Sequence, residues 1–161
     1  MAAGTPATVA LTRAGITFSV HPYAHDPRSA SYGLEAAAAL GVDAARVFKT
    51  LLASVDGKLV VGVVPVVGQL DLKALARAAA GSKAVMADPR LAERTTGYVV
   101  GGISPIGQRK ALPTVVDDSA LTFDTVFVSG GRRGLDVELA PADLIRITGA
   151  ITGQIGRSGG A

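Results

Sequence analysis

The chain contains no cysteine and no tryptophan, and only two histidines, His21 and His25. Without cysteine there is no disulfide, no thiolate nucleophile and no Cys-ligated zinc or iron–sulfur centre. Two imidazoles are too few for a multi-histidine site, so no metal is expected. Neither GxGxxG nor GxxxxGK[ST] occurs, which argues against a nucleotide-cofactor enzyme. GxSxG is missing as well, which removes the usual α/β-hydrolase signal. No apolar run reaches membrane-spanning length, and the N-terminus lacks the basic-then-apolar pattern of a secretion signal. A cytoplasmic location without membrane contact is the resulting expectation. Internal repeats, linkers and low-complexity blocks are also absent.

What the chain does have is an apolar, glycine-rich body. Of 161 residues, 48% are apolar and 18% charged, the balance of a folded protein rather than a disordered one. That length is most simply one domain, residues 1–161, large enough to bury a real core. With aromatics at only 4%, the core must rest on Val, Leu, Ile and Ala. The formal charge of +3 is modest and spread over the chain. Two dibasic pairs, Arg109-Lys110 and Arg132-Arg133, each follow a glycine-rich loop. Either pair alone is ordinary solvated charge. Together they fit a phosphate-bearing partner, provided that folding brings them to one face.

Hydrophobic period and turn chemistry predict the elements. Residues 6–14 read as a short helix stopped by Gly15, and 16–20 alternate as a half-buried strand. A proline-punctuated loop follows at 21–27, then an alanine-rich helix over 33–40 closed by Gly41. Two apolar strands, 47–55 and 59–65, flank Asp56-Gly57, a good hairpin signal. Asp71 caps a helix ending near Gly81, residues 83–86 form a short strand, and Asp88-Pro89 starts another short helix. Further strands are expected at 114–116, 125–129 and 135–139, the last two as a hairpin, with a helix opened by Pro141 over 144–147. The glycine- and serine-rich tail, 154–161, is expected to fray. The sum is a single α/β domain with a mixed, mainly antiparallel, barrel-like sheet and surrounding helices.

Chemistry concentrates at a few points. Tyr98-Val99-Val100 runs into Gly101-Gly102-Ile103-Ser104-Pro105. Glycine permits positive φ and close approach to the backbone, and proline fixes the loop's exit. Such a loop can turn peptide N–H groups toward an anionic or carbonyl oxygen; it equally fits a bulge or tight turn. Lys49 interrupts an apolar strand, either as a snorkelling surface lysine or as an ammonium aimed at a phosphate or oxyanion. His21 and His25 could act as bases, or be solvent-facing or structural.

Four stretches taken together resemble one family: Val47-Phe48-Lys49-Thr50-Leu51, Pro65-Val66-Val67-Gly68-Gln69-Leu70-Asp71, Gly101-Gly102-Ile103-Ser104-Pro105, and Val128-Ser129-Gly130-Gly131-Arg132-Arg133-Gly134-Leu135. The combination is similar to the YbaK branch of the aminoacyl-tRNA editing domains, free-standing Cys-tRNA(Pro) deacylases. The likeness runs from about Ile16 to Ile147.

The resemblance implies a trans-acting enzyme that removes cysteine from mischarged tRNA(Pro), working alongside prolyl-tRNA synthetase and without a cofactor. It assigns Lys49 to the 3′-terminal adenosine and its phosphate. It assigns Gly101, Gly102 and Ser104, through backbone N–H groups of their loop, to the aminoacyl carbonyl. Tyr23, Tyr32, Ser129 and Asp136 fall on pocket positions, with Phe48, Thr50, Gly130 and Gly131 beside them in the same motifs as substrate contacts. Tyr32 stands where relatives are expected to have phenylalanine. No protein nucleophile is evident, so the implied chemistry is attack by the substrate's own thiol, the protein supplying orientation and oxyanion stabilisation. Three alternatives stand beside this one: editing of Ala-tRNA(Pro) by bound water, a non-catalytic tRNA- or oligonucleotide-binding module, and a small-molecule-binding protein of the same fold.

Overall fold

Mostly apolar runs on either side of Asp56-Gly57 build a long hairpin, β2 (Phe48–Val55) and β3 (Lys58–Pro65), in full antiparallel register. Both turn residues have positive φ, 50° and 86°, the twist that joins two strands without splaying them. The computed structural model describes residues 4–29 and 31–158. In it the hairpin is the centre of a five-stranded sheet, with β5 (Ala84–Met86) antiparallel to β2 and β6 (Thr114–Asp117) parallel to β3. The outer strand β9 (Ile151–Gly153) lies parallel to β6.

A separate three-stranded antiparallel sheet has the order β1 (Phe18–Pro22), β8 (Leu135–Leu139), β7 (Val126–Arg132). Its inward residues Val126, Val128, Val137 and Leu139 pack with Phe48, Leu52, Val61, Val63 and Val116 of the larger sheet. Leu11 of α1 (Pro6–Arg13) and Leu144 of α5 (Pro141–Thr148) close that core. The other face of the larger sheet buries Ala53, Val55, Val60, Val64 and Val115 against α3 (Leu72–Ala78) and Ile155. The remaining helices are α2 (Tyr32–Leu40) and α4 (Pro89–Thr96), each ended by a glycine in the left-handed region.

The α/β class and the mainly antiparallel pairing match the expectation, but the barrel does not close. Among the described residues, the only bridge that joins the two sheets is Val47, just before β2, with Phe127 of β7. Beyond it a cavity separates the two sheets, and a bulge between Ser129 and Arg132 turns β7 away.

The tail also departs from expectation. Residues 156–158 form β10 (Gly156–Ser158), antiparallel to β4 (Gly68–Leu70). Ile155 is fully buried, and the Asp117 carboxylate accepts the N–H groups of Ile155 and Gly156 at 3.0 and 2.8 Å. A glycine-rich segment stays ordered because a distant carboxylate and an apolar socket hold it. Residues 159–161 lie outside the described part. Finally, the first strand runs on through His21 and Pro22, because pairing with β8 continues to His21–Asp136 and Pro22–Leu135.

Candidate functional site

The site begins with an edge that no strand covers. β5 pairs with β2 only over Ala53, Ser54 and Val55, so residues 48–51 have open space on that side. The Leu52 carbonyl accepts from Ala87 N–H at 3.0 Å, on the β5 side. Backbone polar groups alternate sides along a strand, so those of Thr50, two residues earlier, face the same way, into the gap. The Thr50 hydroxyl is buried and has no hydrogen-bond partner among the described residues. A buried unpaired hydroxyl costs free energy unless something else completes it.

The gap is a cavity of about 570 Å³. Phe48, Lys49 and Thr50 form one wall, and Ser129 and Asp136 of the three-stranded sheet form the other. Tyr32 opens α2 at the rim, with Tyr23, Gly101 and Ile103 nearby, and the 66–69 turn and Met86 close the remaining sides.

Two opposite charges line this space without meeting. Lys49 is half-buried and belongs to no ion pair among the described residues; burial holds its ammonium pKa below the usual lysine range. Asp136 is only 5% exposed, and burial raises its carboxyl pKa to about 7. Its carboxylate makes no hydrogen bond among the described residues. The phenol of Tyr23 is also pushed upward, first by burial and then by the charge of Asp136, which places it beside that carboxyl. A buried acid and a half-buried base, each without a partner among the described residues, suit a ligand that carries both charges.

The glycine loop is fastened from three directions. Gly97 ends α4, Glu93 accepts the Val100 N–H at 2.8 Å, and Gly102 N–H donates to Val99 O at 2.8 Å. Arg133 donates to the Val100 carbonyl through Nε and Nη2, at 3.0 and 2.5 Å, while its guanidinium lies 4.6 Å from the Tyr32 ring centroid. Ser129 Oγ donates to Gly102 O at 3.0 Å and accepts from Gly131 N–H at 3.1 Å. Gly101 has φ +91°, and a Cβ there would stand 2.6 Å from Arg133 Nε and 2.9 Å from the Tyr32 ring. The Gly101 and Ile103 N–H groups have no acceptor among the described residues, and both residues line the cavity.

The fold therefore brings Lys49, Phe48, Thr50, Gly101, Tyr23, Tyr32, Ser129 and Asp136 to one cavity. Gly102, Ser104, Gly130 and Gly131 stand behind its lining. The Gly102 N–H is already spent on Val99, so it is not a free donor. Ser104 is fully buried: its hydroxyl accepts from Ile106 N–H at 3.1 Å and its carbonyl from the Gln108 side chain at 2.9 Å. Its work is to shape the loop's exit. The Gly130 carbonyl accepts from the Thr5 hydroxyl, and Gly131, at φ +112°, packs against Thr5 and Tyr98. Neither histidine lines the cavity. His21 Nε2 pairs with Glu138 at 2.9 Å, and His25 Nδ1 pairs with Glu35 at 2.7 Å, which tethers the first loop to α2. No cluster of three or more His, Asp or Glu residues that could hold a metal occurs among the described residues. In the sequence Arg133 stands out as charge and not as the clasp of the loop; its place after Gly130-Gly131 is the one hint of that role.

Gly102 is glycine for want of space. A Cβ there would sit 2.8 Å from backbone atoms of Arg132 and Arg133, which cannot swing aside. Gly102→Ala is expected to displace the loop, cost about 1–3 kcal/mol of stability, and lower ligand affinity at the cavity. Thermal melting and a binding titration check both; a variant unchanged in each would show that the loop and hairpin can part freely.

Residues 27–147 match the family model described as the aminoacyl-tRNA editing domain. A candidate Cys-tRNA(Pro)/Cys-tRNA(Cys) deacylase of Enterococcus faecalis, EbsC, is 42% identical over 114 residues, covering 70% of this chain and 69% of that protein. A solved structure of a candidate trans-editing enzyme for prolyl-tRNA synthetase aligns with a TM-score of 0.84 at 25% identity, over 95% of this chain and 96% of its own. The hypothetical protein APE2540 aligns with a TM-score of 0.83 at 26% identity, over 94% and 99%. Every cavity-lining residue except Tyr23 falls within the matched span, and the chain belongs to the aminoacyl-tRNA editing domain family.

Proposed function

We propose that the chain is a trans-editing deacylase that clears cysteine from Cys-tRNA(Pro). The observation that carries this is the pair of unpartnered charges, Lys49 and Asp136, on opposite walls of one cavity. An aminoacylated RNA end offers the matching set: a phosphate at one end, an α-ammonium at the other, and an ester between them. Lys49 holds the terminal nucleotide through its phosphate. Asp136, ionised once a cation faces it, holds the ammonium. The N–H groups of Gly101 and Ile103 receive the ester carbonyl oxygen as it gains negative charge. Phe48 and Tyr32 supply apolar and aromatic surface for base or side chain.

The cavity holds no cysteine and no Ser–His–Asp set, so the attacking group comes from the substrate. The cysteine sulfur adds to its own ester carbonyl carbon, the bond from that carbon to the ribose oxygen breaks, and the thiol proton ends on that oxygen. The thiolactone so released is then opened by water. Orientation of thiol and carbonyl is the protein's main contribution, and such positioning alone carries large rate factors. Serine and alanine, lacking a thiol, are spared. The partners are then the tRNA(Pro) acceptor end and the prolyl-tRNA synthetase that makes the error, and the work is cytoplasmic.

Deacylation of Cys-tRNA(Pro), Ala-tRNA(Pro) and Ser-tRNA(Pro), followed in parallel against buffer, tests the proposal. Rapid loss of cysteine alone is the expected result. Loss of alanine instead would move the nucleophile to water, and loss of none would leave a binding protein.

A further inference from the structure

α4 separates two cavities. Pro89 and Ala92 on one side of the helix line the site described above; Leu91, Arg94 and Thr95 line a second cleft of about 660 Å³. At 100° per residue these stripes lie about 140° apart around the helix, so the clefts flank it. The second cleft is completed by Gly57, Lys58 and Leu59 of the β2–β3 hairpin and by residues 109–113. Four cations line it, Lys58, Arg94, Arg109 and Lys110, all exposed, and no acidic residue does. None of the four belongs to an ion pair among the described residues.

The acids nearest in sequence are already engaged. Asp56 accepts the N–H groups of Ser82 and Lys83, Asp88 caps α4 through Leu91 N–H, and Glu93 accepts from Val100. Cations near the end of a helix commonly answer its dipole, and Arg109 does so, bonding the Arg94 carbonyl at 3.4 Å and covering Gly97. Lys58 comes from the opposite hairpin and has no helix end to serve. Its presence makes the cleft a two-sided cationic channel floored by Leu59, Leu112 and Pro113.

From this we infer that the second cleft binds the phosphate backbone of the same RNA whose acylated end occupies the first. The inference rests on the reading of the first cavity given above. A helix is about 10–12 Å across, the rise of three to four nucleotides at about 3.4 Å each. A strand with its last nucleotide in the first cavity thus crosses α4 and lays the phosphates upstream of that end between Lys58, Arg94 and Lys110. Of the dibasic pairs, Lys110 finds its role here, while Arg109 serves the helix end and Arg133 is committed to the loop. Length of RNA, and not only its last nucleotide, then contributes to binding.

The experiment compares the full chain with a K58Q/R94Q/K110Q variant, leaving Arg109 on its helix end. All three side chains are exposed and outside ion pairs, so the fold is retained, which a melting curve verifies. Uncharged tRNA affinity is measured from 50 to 200 mM salt, and hydrolysis of the cysteinyl ester of adenosine 5′-monophosphate, which keeps the phosphate for Lys49, is followed separately. The expected result is a salt slope reduced by about 2, a roughly 20-fold weaker tRNA affinity at the low-salt end, and unchanged hydrolysis of the small ester. Equal affinity and equal slope in both proteins would overturn the cleft while leaving the deacylase reading intact; an acidic protein as the true occupant would give that outcome. A reduced slope with no ester hydrolysis by either protein would keep the cleft and sink the deacylase reading instead.

Discussion

Lys49→Ala is expected to keep the fold and to lower kcat/KM on the aminoacylated RNA by about 10²-fold or more. The side chain is half-buried, has no anionic partner among the described residues and has its ammonium pKa lowered by burial. Such a lysine costs the folded chain desolvation free energy that no acid among the described residues repays. Its removal therefore leaves stability unchanged or slightly higher. With substrate bound, the same ammonium meets a phosphate in a place with little water, where a charge-assisted contact is worth about 2–4 kcal/mol. Lys49→Met separates charge from packing, since it keeps the apolar stem. If Lys49 only anchors the RNA end, KM rises and kcat holds; if it also faces charge that develops in the reaction, kcat falls with it. A circular dichroism spectrum of an unfolded Ala variant, or a loss of less than about threefold, would remove Lys49 from the site.

Much of this is legible in the sequence because it is local. Asp56-Gly57 between apolar runs specifies the β2–β3 hairpin, and Asp71 and Asp88 each cap the helix that follows them. Periodicity could not reveal what depends on distant partners. The tail is ordered by Asp117, 38 residues before Ile155, and by a three-residue pairing with β4. Ser104 reads as part of a loop that offers N–H groups to a carbonyl, yet it is fully buried and its hydroxyl accepts from Ile106 N–H. Gly102 reads as a backbone donor, yet its N–H closes a turn onto Val99. The uncovered edge of β2, which opens the cavity, exists only because β5 is three residues long. A strand's unpaired side is a property of its neighbours, and no motif within β2 encodes it.

Asp136→Asn is expected to do two opposite things: to cost about 10²-fold or more in kcat/KM and to raise stability above neutral pH. The carboxyl titrates near 7 in the folded chain because it is buried, against 3.8 when unfolded. Below about pH 4 it is protonated in both states and has no effect on stability. Between 4 and 7 the folded chain keeps a proton that the unfolded chain has lost, so stability falls as pH rises and levels off above 7. The gap corresponds to on the order of 4 kcal/mol at pH 8, an upper figure. An amide carries no such penalty, so the melting temperatures of the two proteins should nearly coincide at pH 4 and diverge by pH 8, with Asn higher. Activity moves the other way, since only the carboxylate answers the ammonium of the substrate. On a short aminoacyl ester, wild-type kcat/KM should climb more steeply than that of the Asn variant as pH rises through about 7, because ionisation of Asp136 adds to that of the substrate's thiol. A variant that melts lower than wild type at pH 8 would mean that the carboxylate already has a partner inside the protein. The ammonium would then need another host.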